Sequence, residues 1–123
     1  MRHGSIMLAA SVALCLGTAP ARAVDAPYDA GLYRIAEILG SLHFLRNLCG
    51  EKGDAWREQM EKLISTESPD AERRARFVAN FNRGYRAFAN TYTTCTSSAI
   101  EAINLYTTEG EQLSDEIASR YGN

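Results

Sequence analysis

From Leu32 to Ile117 the apolar residues recur every three or four positions, and no stretch alternates apolar with polar residues long enough to build a strand. Leu32, Ile35, Leu39, Leu42, Leu45 and Cys49 form a first helical stripe, which Cys49-Gly50 ends. Asp54 predicts an N-cap, its carboxylate accepting from the orphan N–H groups of a second helix. That helix carries Trp56, Met60, Leu63 and Ile64 inward and ends near Thr66. Ser68-Pro69 predicts the third start, with Ser68 as cap, Pro69 in the first helical position, and Asp70 and Glu72 at the positive helix end. Phe77, Phe81, Tyr85, Phe88, Tyr92 and Cys95 then follow at steps of four and three. Thr96 predicts the cap of a fourth helix with Ile100, Ile103, Tyr106, Leu113 and Ile117 inside, closed by Gly122.

Four helices joined by short loops predict an all-α fold, a small four-helix up-down bundle. In that topology helices one and three run the same way, so Cys49 and Cys95 stand at one pole and a disulfide between them staples the bundle. An orthogonal packing of the same helices also fits the pattern. Helix one carries a second apolar line: Tyr33, Gly40, Phe44 and Leu48 fall roughly opposite Leu42, with Glu37 among them. Either helix one is central and covered on both sides, Gly40 letting a neighbour close in, or Tyr33, Phe44 and Leu48 form a patch for a partner.

Residues 1–23 read as a signal peptide. Arg2 and His3 precede an apolar run from Ile6 to Leu16, and Ala21-Arg22-Ala23 offers the small side chains signal peptidase requires, so cleavage is expected after Ala23. The run is shorter than the about 20 residues a permanent span needs, so no stable membrane insertion is expected. Cys15 has Leu14 before it, where lipoprotein processing would want a small residue. The expected product is one periplasmic domain, residues 24–123. It keeps two of the three cysteines, and an even pair in an oxidising compartment reads as a bridge. Closing a loop of about 47 residues restricts the unfolded chain by roughly 4 kcal/mol.

Composition narrows the function. A hydrophobic content of 46% excludes a disordered chain. Two of the 13 basic residues, Arg2 and Arg22, leave with the leader, so 11 face 15 acidic ones, a balance of −4. That excludes a general nucleic-acid binder, which needs a basic surplus. The charge is also segregated: residues 68–95 hold five arginines against two acids, and residues 96–123 hold five acids against Arg120. Arg73, Arg76, Arg83 and Arg86 form a candidate face for an acidic partner or anionic glycan, since guanidinium forks fit carboxylates and phosphates. Pairing with the acidic fourth helix, or plain solvation, is the alternative.

The expected domain holds one histidine, His43, about 120° round the helix from Glu37. No second histidine is present for a triad or metal set, and no G-x-S-x-G, H-E-x-x-H or phosphate-binding glycine loop occurs. No catalytic residue, metal site or cofactor is therefore expected. A haem held by His43 and Met60 would lack the usual C-x-x-C-H attachment.

The run Ile35-Ala36-Glu37-Ile38-Leu39-Gly40-Ser41-Leu42-His43-Phe44-Leu45-Arg46 resembles a family of small exported alphaproteobacterial proteins of unknown function. So do Leu48-Cys49-Gly50, Trp56-Arg57, Phe81-Asn82-Arg83-Gly84-Tyr85-Arg86, Cys95-Thr96 and Arg120-Tyr121-Gly122, so the resemblance covers nearly all of the expected domain. It implies a periplasmic location and the paired cysteines, and brings no activity. The expected function is a non-catalytic adaptor that binds an envelope protein or a peptidoglycan-associated partner. Its rivals are a small acid-stress chaperone and an envelope hydrolase working through carboxylates such as Glu37.

Overall fold

A computed structural model describes Gly17 and residues 26–122. Apart from Gly17, the expected leader, with its cleavage point after Ala23, lies outside the described residues. Four helices are present: α1 (Asp29–Leu48), α2 (Ala55–Glu67), α3 (Ala71–Ala89) and α4 (Ser97–Tyr121), with no strand among the described residues. They run up, down, up and down. Along α1, Asp29, Tyr33 and Phe44 meet Arg73, Phe77 and Tyr85 in order, so α1 and α3 are parallel. Tyr28 and Gly31 meet Tyr121 and Ile117, so α4 runs antiparallel.

The bundle is not a regular square. α1 packs against all three other helices, while no Cα atom of α4 comes within 8 Å of one in α2 or α3 among the described residues. The closest pair is α1 with α3, and glycine is the reason. A Cβ on Gly40 would overlap the Phe81 carbonyl, and one on Gly84 would overlap the Glu37 carbonyl. The two backbones therefore touch reciprocally, and the Ser41 hydroxyl donates to the Gly84 carbonyl at 3.0 Å in the buried contact. Of the two readings of the second apolar line, the covered one is observed: α3 lies along it.

Two small cores result. Leu32 and Ala36 of α1 join Met60 and Ile64 of α2 and Phe77 of α3, whereas Ile38, Leu42 and Leu45 join Ala99 and Ile103 of α4. Both draw on α1, whose alanine, serine and glycine positions admit neighbours from several directions. Cys49 and Cys95 are bonded at the shared pole, their Cα atoms 4.9 Å apart.

Local corrections concern helix ends and one face. Ser68 does not cap α3; it ends α2 in the left-handed conformation (φ 43°), and its N–H bonds the Ile64 carbonyl. Pro69 follows, and Asp70 is the cap, accepting from the Arg73 N–H at 2.8 Å. Asp54 flanks α2 without a side-chain cap bond. The aromatic stripe outlasts its helix, since α3 ends at Ala89 and Tyr92 packs from the following turn. Thr96 caps α4 as expected. Ile100, however, is 50% exposed: the inward row starts at Ala99, and Ile103 and Tyr106 continue it.

Gly84→Ala should destabilise the protein by about 3 kcal/mol or more, because rigid backbone must move. Gly110→Ala should stabilise it by about 0.5–1 kcal/mol. Its added methyl would meet Ile38 Cγ2 at an ordinary 3.5 Å. Urea denaturation of the two variants checks both signs.

Candidate functional site

The proposed arginine face divides on inspection. Arg73 turns inward: Nε donates to both oxygens of Asp29 at 3.0 and 3.1 Å, and Nη2 reaches Asp29 and Glu67. Asp29 is almost fully buried in the first turn of α1, where it also accepts from the Ala26 N–H. This ion pair ties the N-terminal ends of α1 and α3 together, at the pole opposite the disulfide. Arg73 is thereby part of the framework, and its hydrogen bond to Asp29 raises its pKa against the opposing effect of burial.

Arg76 bonds Glu72 one turn away at 3.0 Å. Arg83 bonds Asn80 and stands 4.0 Å from Glu37, with most of its side chain in solvent. Arg86 and Arg74 are exposed at the rim of a shallow strip of Ala71, Ala75, Val78 and Ala79 on the outer side of α3. No ion pair links α3 to α4 among the described residues. The acidic helix instead engages α1: Arg34 forks onto Glu109, with Nη2 2.8 Å from Oε1, and also bonds Glu37 at 3.1 Å. The Glu109 carboxyl is held below its usual pKa by hydrogen bonding to Arg34, against partial burial.

Tyr33, Phe44 and Leu48, the other candidate contacts, are partly buried. Tyr33 tilts against Phe77, Phe44 meets Tyr85 edge-on, and Leu48 packs on the α1–α4 core. Tyr33 and Phe44 face α3 and Leu48 the α1–α4 core, so all three serve first as packing. Glu37 lies between Arg34 and Arg83. His43 sits between the Phe81 and Tyr85 rings, its Nδ1 buried without a hydrogen bond. The two are not brought together. No group of three His, Cys, Asp or Glu among the described residues could hold a metal ion. No helix among them is long and apolar enough to cross a membrane.

One concavity among the described residues is not singled out by the apolar pattern. α2 and α4 flank α1 without meeting, leaving a groove floored by Leu32, Ile35, Leu39 and Leu42. Its two sections, about 520 and 670 Å³, share Ile35, Leu39, Gln59 and Ser114 and so form one continuous channel. Tyr28, Leu63, Ile117 and Tyr121 wall one end, and Trp56 and Tyr106 wall the other. From Tyr28 to Leu42 the floor runs for about 21 Å, four helical turns. Ile35 and Leu39 had been legible only as core; their half-exposed state depends on how far apart α2 and α4 stand.

A family model described as a protein of unknown function (DUF2385) matches residues 27–121. No curated protein and no solved structure matches the chain.

Arg73→Met should destabilise the protein by about 3–5 kcal/mol, since it strands the buried Asp29 charge. Arg86→Glu, in contrast, should stay within about 0.5 kcal/mol of the parent. Thermal unfolding separates them. The depressed Glu109 pKa adds a pH signature. Its contribution is present above the usual carboxylate value near 4.5 and is lost as pH falls through the lower folded value. Arg34→Met should therefore lower the urea midpoint at pH 7 and narrow its fall between pH 7 and pH 3.

Proposed function

We propose that this chain, which belongs to the DUF2385 family, is an exported binding protein: a non-catalytic adaptor of the cell envelope. The observation that carries the reading is the open apolar groove between α2 and α4. An apolar channel four turns long, open to solvent, suits a macromolecular segment better than a small substrate, which binding pockets enclose on most sides. Export is supported by the leader-like pattern of residues 1–23 and by the Cys49–Cys95 bridge, since such bonds persist in oxidising compartments.

The outer side of α3 supplies the second proposed contact. Arg83 and Arg86 present guanidinium groups on the side of α1 away from the groove, where acidic groups of an envelope protein or peptidoglycan would dock. Two faces on opposite sides of a central helix suit a molecule that joins two others. Glu37, engaged by two arginines and remote from His43, offers poor support for the hydrolase reading.

The test is in-cell cross-linking of the full chain with a photoreactive residue at Ser114 in the groove, followed by fractionation. One defined envelope partner, recovered with a processed product beginning at Val24, is the expected outcome. Arg83→Glu/Arg86→Glu should reduce its recovery without lowering the melting temperature. A scatter of unfolded proteins captured mainly at acid pH would replace the adaptor with a chaperone. A cytoplasmic, unprocessed chain would overturn the envelope assignment.

A further inference from the structure

The groove has a chemical polarity that its apolar floor does not explain. On its α4 rim, about the middle of the channel, stand Glu111 and Asp115, one turn apart and both exposed. The neighbouring acids of α4 are engaged: Glu109 by Arg34 and Glu116 by Arg120. Glu111 and Asp115 have no cationic partner among the described residues. Across the channel, Glu51 is already taken, bonded by Arg46 at 3.1 Å and by the Trp56 indole. That section of the rim therefore presents two unanswered carboxylates beside apolar surface. Like charges one turn apart destabilise their own helix by a few tenths of a kcal/mol, so the pair does not serve the stability of α4.

The shape says what can enter. α1 touches α2, α3 and α4, and an open flank of α1 lies between α2 and α4, where a further helix would complete a square with α1, α2 and α4. A helix laid there would set apolar residues at i, i+3, i+4 and i+7 onto Ile35, Leu39 and their neighbours, the usual mode of helix-in-groove recognition. A lipid with an anionic headgroup would meet the two carboxylates and be repelled.

Taking the binding reading above as its premise, we propose that the α2–α4 groove receives an amphipathic helix of a partner protein. That helix carries lysine or arginine residues placed to meet Glu111 and Asp115. The apolar contacts supply most of the affinity, and the two carboxylates set which helix is accepted and how it is oriented.

The probe is a pair of 18-residue amphipathic peptides with the same leucine stripe, one flanked by lysines and the other by glutamates, plus a scrambled lysine peptide. Trp56, the single tryptophan, lines the groove, so its fluorescence reads binding to the purified protein directly. The lysine-flanked helix should bind at least about tenfold more tightly than its glutamate twin, and Glu111→Lys/Asp115→Lys should invert that order. Ser114→Arg, at an exposed position in the middle of the channel, should abolish binding without changing the melting temperature. Equal binding of the twins, binding of the scrambled peptide, or no binding of any peptide at 0.1 mM (roughly −5.5 kcal/mol) overturns the proposal. So does a dimer of the parent protein that Ser114→Arg dissociates, because the groove would then belong to a second copy. With the photoreactive residue moved to the exposed Gln59 across the groove, Ser114→Arg that still captures the envelope partner in cells makes this proposal fail while the adaptor reading stands; if the parent captures none, the adaptor reading itself fails.

Discussion

The approach of α1 to α3 through Gly40 and Gly84 is the constraint on which the rest of the structure depends. Each glycine places its Cα against a carbonyl of the other helix, at a distance no side chain permits. Backbone contact of this kind brings dispersion and weak Cα–H···O interactions and needs no large side chains between the helices. It is fastened at both ends by different chemistry: a buried ion pair, Asp29 with Arg73, at one pole and a covalent bond, Cys49–Cys95, at the other. The buried pair is costly to desolvate, so it adds less to net stability than to the register of the two helices.

Once α3 occupies one side of α1 so closely, the remaining surface of α1 has to be covered by two helices that cannot reach each other. α2 fills the angle between α1 and α3 with Met60 and Ile64, and α4 covers the far side with Ala99 and Ile103. The strip of α1 between them stays open. The groove thus follows from glycine placement rather than from any residue in the groove itself. A square bundle, with α1 and α3 as diagonal partners held apart, would have closed it.

Much of the fold was legible along the chain because helical periodicity reports which side of each helix is apolar, and the cysteines report which ends coincide. Gly40 could be read as an approach point because an apolar line surrounds it. Its partner Gly84 could not, as it stands among arginines and aromatic residues with no local sign of contact. The arginine face shows the same limit. Arg73 and Arg86 look equivalent in sequence, yet one neutralises a buried aspartate 44 residues away and the other faces solvent. The helix wheel assigns a direction to a side chain, not a partner. The groove was hidden for a related reason, since Ile35 and Leu39 satisfy the core pattern equally well whether a neighbour covers them or leaves a gap.

The placement of the one covalent bond also has a mechanical side. Residues 26 and 122 lie near one pole, where Tyr28 and Tyr121 hold their rings 5.4 Å apart, and the disulfide lies at the other. Tension applied between those ends would run along α1 to Cys49, cross to Cys95 and return along α4. The intervening segment, with α2 and α3, lies outside that path and bears no load. α1 and α4 would be peeled apart contact by contact from the tyrosine end, a geometry that yields at low force, while the sulfur bridge fixes the length at which extension stops.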